Sequence, residues 1–367
     1  MKRNILYFVI LTFFTYSCNQ GKYVAVEVDN PVFKENTAFL SAEDLTLDKF
    51  DALKQKYQLD TVIMGETDEL KRILLLRHWI KKSIAIEDFK DDYSGDGYPE
   101  RILDAALGGE GFHCGHFMVV QNAIMNAYGY VTRCIGAGPG QQGFPDGHHG
   151  INEIWLNDYN KWFLSDAKYD HHFEKDGIPL SALEVREEFL KNKAKDIVMV
   201  KGPERTPIEY DPEMERTKES FARTYTWIEW DTYTDRYSSW PDFRTMLNMY
   251  EDTYAKNHTW IWDGKPHWAY GTEYLNLVDN RDAIEWTPNT IKAEVQIEED
   301  IAKVKLYSHT PNLKEYQMKT SPSGQWQKVD EQPTIQLTEE THELAFRTLN
   351  LAGVSGPEYT ILLKKEY

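Results

Sequence analysis

The chain has 367 residues, enough for two or more domains, and 41% of them are hydrophobic, so ordinary globular cores can form. Its formal net charge is −18, which repels nucleic acid and anionic lipid surfaces unless a local basic patch overrides it. The sequence shows no such patch, so we expect no nucleic-acid partner.

The first 18 residues have the pattern of a secretory signal. Lys2 and Arg3 precede an apolar segment, residues 5–14, that is too short to cross a bilayer. The segment ends at Cys18, in a pattern that resembles a bacterial lipoprotein signal. That resemblance implies an exported protein of the cell envelope, attached to the membrane by a lipid on Cys18. A plain cleaved signal with an incidental cysteine is the alternative.

Helices dominate the predictions for the next part of the chain. Residues 19–40 are interpreted as an extended arm with a possible short strand at "YVAVEV". Periodic apolar residues and capping residues then predict three helices: 41–57 with Ser41 as cap, 66–84 with Thr67 as cap, and 99–109 between Pro99 and Gly109. Residues 91–99 are predicted to be a loop.

A fourth helix is predicted to begin at Cys114 and to end at Gly129. After it, alternating patterns predict strands at 131–140, 150–157 and 161–169, the last two joined by a turn at residues 157–160. Residues 180–195 are expected to be helical, and so is most of the aromatic segment 216–256. The aromatic residues between 220 and 290 are a candidate wall for a substrate, although aromatic residues more often form an ordinary core.

From residue 291 onward, apolar and polar residues alternate, with turn residues every eight to twelve positions. This pattern predicts an antiparallel β-sandwich over residues 291–367. The final segment "FRTLNLAGVSGPEYTILL" resembles the last hairpin of fibronectin type III and related immunoglobulin-like modules.

Cys114 is the candidate nucleophile. A cysteine at a helix N-terminus is exposed to the positive end of the helix dipole, which favours the thiolate. A thiolate nucleophile also needs a histidine to transfer protons and a third group to fix that histidine's tautomer. If the two strands pair as a hairpin, His149 at the start of one lies beside Asp166 near the end of the other. The sequence therefore predicts a Cys114–His149–Asp166 triad.

Three motifs, "GFHCGHF", "HGINEIW" and "WFLSDAK", occur in this order. Together they resemble the transglutaminase-like superfamily, whose pattern is a cysteine at a helix start, then His-Ala-Trp-Asn-Glu-Val, then Trp-x-x-x-Asp-Pro. Here Ile151 replaces the tryptophan and Ala167 replaces the proline. The resemblance covers residues 65–170 well, 171–290 poorly and the C-terminal part not at all. It implies a papain-like α+β core and thiol-dependent attack on an amide carbonyl.

The fold class expected is therefore α+β, with four segments: the signal 1–18, the arm 19–40, a transglutaminase-like domain 41–290 with an aromatic-rich extension, and the sandwich 291–367. No cofactor is expected. The Cys114 backbone N–H is a candidate oxyanion donor. Other residues that could line the pocket are His113, His116, His148 and Asn152.

Less specific interpretations remain open for the same residues. Cys114 and Cys134 could be passive core residues, and in an exported protein they could form a disulfide. Asp170 is expected to be solvated. A zinc site is an alternative because histidines are dense in this region, although no standard zinc spacing is present. The residues concerned are His113, Cys114, His116, His148, His149, His171 and His172.

The function expected is hydrolysis of an amide bond in a peptide or glycopeptide. One alternative is a non-catalytic surface protein that binds a polysaccharide or a peptide. Another is a polysaccharide-active enzyme, such as a lyase, that uses the pocket histidines rather than the thiol.

Overall fold

The computed structural model of the chain describes residues 21–26, 28–88, 90, 92–93, 97–139, 148–262 and 265–367. The predicted signal and Cys18 lie outside the described residues, as does part of the predicted loop at 91–99. Helices and strands are both present and the strands form several sheets, so the fold is of the mixed α+β class.

The helices of the described residues are numbered in chain order. They are α1 (Lys49–Lys56), α2 (Glu69–Ser83), α3 (Pro99–Leu107), α4 (Cys114–Ala127), α5 (Ala182–Asn192), α6 (Lys218–Thr224), α7 (Thr253–Asn257) and α8 (Arg281–Ile284), with a 3-10 turn at Leu59–Thr61.

The strands are numbered in the same way. The N-terminal part has β1 (Lys22–Val26), β2 (Ser41–Ala42), β3 (Ala85–Ile86) and β4 (Gly111–Phe112). The central part has β5 (Thr132–Gly138), β6 (His149–Leu156), β7 (Lys161–Ser165), β8 (His171–Lys175), β9 (Ile178–Pro179), β10 (Val198–Lys201), β11 (Thr206–Ile208), β12 (Tyr210–Asp211), β13 (Arg216–Thr217), β14 (Trp227–Asp231), β15 (Tyr233–Thr234), β16 (Leu247–Tyr250), β17 (Ile261–Trp262), β18 (Lys265–Pro266) and β19 (Leu275–Val278). The C-terminal part has β20 (Ile291–Glu298), β21 (Ile301–Ser308), β22 (Leu313–Lys319), β23 (Gln327–Val329), β24 (Thr334–Gln336), β25 (Thr341–Asn350) and β26 (Tyr359–Glu366).

A six-stranded sheet with the order β19-β16-β14-β5-β6-β7 forms the centre of the molecule. Strands β14, β5, β6 and β7 are antiparallel to their neighbours, and the β6–β7 connection is the predicted hairpin. Helices α1 to α4 pack on one face of this sheet around Ile154 and Phe163. Helices α5 and α6 cover the other face around Ile151 and Leu164.

The predicted start of the first helix and the predicted cap of the second are both wrong. Ser41 lies in β2, where its hydroxyl donates to Asp235 at 2.7 Å, and the first helix begins only at Lys49. The second helix is capped by Asp68, whose Oδ1 accepts from the Lys71 N–H at 2.7 Å. Asp68 has the extended backbone that an N-cap requires, so the helix begins one residue later than Thr67 would allow.

The prediction that most of the aromatic segment 216–256 is helical is wrong. Only α6 and α7 are helices there, whereas β14 and β16 belong to the six-stranded sheet. Trp227 and Trp230 are both buried although they point to opposite faces of β14. Because the sheet is covered on both faces, the segment lacks the polar alternation that would have indicated a strand.

The C-terminal residues form two sheets with a common core, with the orders β1-β26-β25-β22-β23 and β20-β21-β24. Strand β1 lies in the segment predicted to be an arm, but it pairs along its whole length with β26, and Tyr23 is buried in the same core. The start of the described chain is therefore part of the C-terminal unit.

Hydrogen bonds also join the C-terminal sheets to the helical part of the molecule. The Asn350 side chain donates to the carbonyl of Gly129, directly after α4, at 2.9 Å. Asn312 accepts from the Leu45 N–H and donates to the Glu43 carbonyl. Among the helices that the structure describes, none combines the length and apolarity that a membrane crossing requires.

Candidate active site

Cys114 is the first residue of α4. The preceding residue, His113, caps the helix: its Nδ1 accepts from the Gly115 N–H at 3.1 Å. The cap fixes where the helix begins and places the thiol at the positive end of the helix dipole. The Cys114 side chain is half-buried, and the residue is a free cysteine.

A close backbone contact brings α4 against the start of β6. A Cβ atom added to Gly150 would lie only 3.3 Å from the Cα of Gly115 and 3.4 Å from the sulfur of Met118. Only glycine gives this approach room without displacing the helix. The contact sets the residue after the thiol against the residue after His149.

His149 and Asp166 are joined by a buried hydrogen bond. The His149 Nε2 lies 2.7 Å from Asp166 Oδ2, and both side chains are almost fully shielded from solvent. The other ring nitrogen, Nδ1, is thereby left for the hydrogen bond between His149 and the Cys114 thiol. Sulfur, imidazole and carboxylate therefore interact in series, as the sequence predicts.

Asp166 follows the end of β7, and its backbone makes an isolated antiparallel bridge with His171. Its second oxygen, Oδ1, accepts from the Tyr169 N–H at 3.2 Å. The Tyr169 ring stacks on the His149 ring with a centroid distance of 5.0 Å. The tight turn after β7 thus fixes both the carboxylate and the imidazole that it orients.

The ionisation of the triad favours a thiolate and an imidazolium. Burial opposes the charged form of His149, but the Asp166 carboxylate outweighs it and raises the pKa of His149 to about 10. Burial likewise disfavours the charged Asp166, yet its bonds with His149 hold the pKa of that carboxyl well below its usual value. Burial also disfavours the thiolate, but hydrogen bonds from His113, His148 and His149 bring the pKa of Cys114 well below that of an ordinary thiol.

His113 and His148, two of the residues predicted to line the pocket, are therefore neighbours of the Cys114 thiol. Because His113 accepts at Nδ1, its proton is on Nε2, from which it can donate to the sulfur. His148 is half-buried, and its ring stacks with Trp260 at a centroid distance of 5.9 Å. Trp260 is one of the aromatic residues between 220 and 290, which thus reach the site.

His116 and Asn152, the other two residues predicted to line the pocket, contact residues outside the triad. His116 is buried against the His113 and Phe112 rings, and burial lowers its pKa to about 4, so it is neutral at physiological pH. The Asn152 amide lies 3.5 Å from the Arg133 carbonyl and 3.7 Å from the sulfur of Cys134. These contacts are with the neighbouring strand β5 rather than with the triad.

The histidines downstream of Asp166 are buried, and their rings have different hydrogen-bond partners. His171 Nε2 lies 3.2 Å from the Tyr225 hydroxyl, and His172 Nε2 lies 2.7 Å from Glu174. No group of three or more His, Cys, Asp or Glu side chains within the described ranges is arranged to hold a metal ion. Cys134 is buried and free, so it makes no disulfide with Cys114.

Asp170 is buried, not solvated as expected. It pairs with the buried Arg77 at 2.9 Å and with His78 at 2.6 Å. Arg77 also donates to the His171 carbonyl at 3.0 Å. The ion pair is a link from α2 to the turn that carries Asp166, which is a structural role that the local sequence does not reveal.

Tyr225 is a residue of the site that sequence reasoning missed. Its hydroxyl donates to Asp166 Oδ2 at 3.0 Å, from a position 59 residues further along the chain. Because that hydroxyl has one proton to donate, the bond at 3.2 Å runs from the His171 Nε2–H to Tyr225. Tyr225 directly follows the last residue of α6 and is fully buried. An aromatic residue at such a position is expected from the sequence to be an ordinary core residue.

Comparison with known proteins places the chain in no family. A scan against protein-family models gave no match, and a search of curated proteins found no similar protein.

Proposed function

We propose that the protein is a thiol-dependent amide hydrolase of transglutaminase-like type, acting on a peptide or glycopeptide. The observation that carries the proposal is the series of interactions from Cys114 through His149 to Asp166 at the start of α4. A half-buried thiol with a lowered pKa, a protonated imidazole and a buried carboxylate are the groups that thiol-dependent acyl transfer requires.

In the first half of the reaction, the Cys114 thiolate attacks the carbonyl carbon of the amide and forms a carbon–sulfur bond. The negative charge moves to the carbonyl oxygen, near the first turn of α4, where the backbone N–H of Cys114 is the candidate donor. The His149 imidazolium then gives its proton to the amine as the carbon–nitrogen bond breaks, which leaves a thioester.

In the second half, the neutral His149 removes a proton from a water molecule that attacks the thioester. The carbon–sulfur bond breaks, the thiolate returns, and the acid product leaves. Asp166 holds the imidazole in the required orientation and stabilises its charged form, while Tyr225 and the Tyr169 N–H hold Asp166.

The test is to screen the wild type and a Cys114→Ala variant against pools of peptides, glycopeptides and polysaccharides. Hydrolysis of an amide by the wild type, lost in Cys114→Ala and His149→Ala but kept in the buried-thiol control Cys134→Ala, is the expected result. Activity kept in Cys114→Ala but lost in His149→Ala would instead favour histidine-dependent elimination. Ligand binding with an unreactive Cys114 would favour a non-catalytic surface protein.

We also propose that the protein is exported and anchored by a lipid on Cys18. The signal pattern of the first 18 residues supports this. Labelled palmitate should be incorporated into the wild type and not into Cys18→Ser, and only the wild type should sediment with membranes. Equal labelling of both proteins, or a wild type that stays in the supernatant, would contradict the anchor.

A further inference from the structure

One row of the central sheet runs from the nucleophile to a buried acidic residue. Gly150 pairs with Gly136, and Gly136 pairs with Glu229 on the next strand, so all three lie side by side on one face. The first two have no side chain, so no side chain of this row separates α4 from the Glu229 carboxyl group. The row begins where Gly150 meets Gly115, next to the thiol-bearing residue.

The Glu229 carboxyl group extends along this row toward the nucleophile. Its Oε1 lies 2.7 Å from the position that a Cβ atom would take on Gly136. Since neighbouring strands are about 4.8 Å apart, the carboxyl group lies roughly one strand spacing from Gly150 and the start of α4.

A second set of contacts connects the same two points. The ring of His148, which bonds the Cys114 thiol, stacks with Trp260, and Trp260 stacks with His267 at a centroid distance of 4.4 Å. The His267 Nε2 in turn lies 3.3 Å from Glu229 Oε1. Two independent sets of contacts, the strand row and the stacked rings, therefore connect Glu229 with the candidate active site.

Glu229 lacks a permanent positive partner. Within the described residues no lysine or arginine pairs with it, and burial lowers the pKa of His267 to about 4, so that its neighbour is neutral at physiological pH. Burial, with a smaller contribution from Asp231, raises the pKa of Glu229 to about 8. The side chain keeps only 7% of its surface exposed, and the chain as a whole carries a charge of −18.

We infer that Glu229 forms the anionic end of a subsite that binds a cationic ammonium group of the substrate, next to the bond that Cys114 attacks. The inference rests on the proposed function, since it assigns the substrate class of the same site. A buried carboxyl group gains most from a counter-ion that arrives with the ligand when, as among the residues that the structure describes, no lysine or arginine pairs with it. The bound cation replaces the proton that otherwise neutralises the carboxylate.

The test compares two alkylating probes that differ only in charge. One is an iodoacetamide with a 2-(trimethylammonio)ethyl substituent, and the other has the uncharged 3,3-dimethylbutyl group of the same shape. The ratio of their alkylation rates at Cys114, measured at pH 8.5 and divided by the ratio for a free thiol, reports recognition of the charge. We expect a corrected ratio of ten or more in the wild type.

Variants locate the source of the charge preference. Glu229→Gln should bring the corrected ratio close to one, whereas the exposed Glu209→Gln should leave it unchanged, since Glu209 is 76% exposed. Glu229→Asp, which keeps the charge but shortens the side chain, should give an intermediate ratio. In the wild type, tetramethylammonium chloride should slow alkylation by the cationic probe more than sodium chloride at equal ionic strength.

The outcomes separate this inference from the proposed function. If the neutral probe reacts with Cys114 no faster than with a free thiol, the proposed nucleophile fails. If the neutral probe reacts quickly but the wild type shows no preference for the cationic probe, the ammonium subsite fails alone. A preference that survives in Glu229→Gln would also overturn the subsite, because the charge would then come from elsewhere.

Discussion

The thiol of Cys114 is surrounded by three histidines, and they decide its ionisation. Burial alone would raise the pKa of a cysteine, as it does for Cys134 on the neighbouring strand. At Cys114 the hydrogen bonds from His113, His148 and His149 reverse the sign. The pKa values of the two cysteines of the described chain are therefore shifted in opposite directions, although Cys114 at the start of α4 and Cys134 in β5 lie in neighbouring layers.

The first prediction concerns the pH dependence of alkylation at Cys114. The thiolate exists above the lowered pKa of the thiol, and the His149 imidazolium persists until the pH rises through about 10. The rate of reaction with iodoacetamide should thus fall much less from pH 8 to pH 6 than that of a free thiol with a pKa near 8.5, which slows roughly a hundredfold. A hundredfold fall at Cys114 would show that no ion pair exists.

The same ionisation should limit the proposed amide hydrolysis on the alkaline side. Loss of the imidazolium removes the proton that the leaving amine needs, so activity should decline as the pH rises through about 10. A pH–rate profile with a decline centred near pH 7 would contradict the role given to Asp166, because that carboxylate is the strongest of the groups that hold the imidazole proton.

The second prediction concerns Tyr225, which positions Asp166. Tyr225→Phe removes one hydrogen bond to a buried carboxylate, worth about 1.5 kcal/mol, and should slow amide hydrolysis about tenfold. The remote Tyr316→Phe, in β22, is the matched control and should leave the rate unchanged. Thermal unfolding checks that both variants are folded, and an unchanged rate in Tyr225→Phe would exclude the positioning role.

At the scale of elements, the site depends on how closely the start of α4 approaches β6. The approach is set by Gly150, which has no room for a side chain against Gly115 and Met118. The helix contributes the thiol and its cap, and the β6–β7 hairpin contributes the imidazole and the carboxylate. Neither the helix nor the hairpin contains all three triad residues.

The third prediction is that Gly150→Ala separates these elements. The added Cβ atom would lie 3.3 Å from backbone, which cannot move as easily as a side chain, so the helix start should shift by a few tenths of an ångström. We expect alkylation at Cys114 to slow about tenfold, measured by mass spectrometry at pH 7.

A control for stability is Gly65→Ala. Gly65 has a φ of +79° and no neighbour within 4 Å of a Cβ atom, so alanine there should cost about 1 kcal/mol through backbone strain without touching the site. Its alkylation rate should match the wild type. Equal slowing in both variants would attribute the effect to stability rather than to the α4–β6 contact.

At the scale of the whole molecule, the two ends of the described chain are joined in one sheet. Strand β1 pairs with β26 over Lys22–Val26, and only three residues separate Cys18 from Lys22. A lipid on Cys18 would therefore hold the C-terminal sheets within about 15 Å of the membrane surface, as three or four extended residues reach no further.

The fourth prediction is that removal of residues 1–28 exposes the edge of β26. The loss of Tyr23 from the C-terminal core and of five ladder positions should lower the urea midpoint, and the open edge should promote self-association. The control is a protein that begins at Gly21 and therefore keeps β1. Identical midpoints and identical sedimentation of the two proteins would refute the prediction.

Much of the site could be predicted because its parts are local patterns. The helix start at Cys114, the hairpin of β6 and β7 and the alternation of the C-terminal strands follow from periodicity, capping and turn residues that lie close together in sequence. The chemistry of their side chains predicts the three triad residues, and the register of the β6–β7 hairpin brings His149 near Asp166.

What the sequence by itself determined is thus the existence of the helices α1 to α5, of the strands β5 to β7 and of the alternating C-terminal strands, together with the identity of the three side chains of the candidate triad. Only the tertiary structure decided that Tyr225 supports Asp166, that Glu229 reaches over Gly136, that Asp170 is buried against Arg77, and that β1 completes a distant sheet. These contacts join residues far apart in the chain. A local pattern can indicate that such a residue is buried, but its partner depends on how whole elements pack.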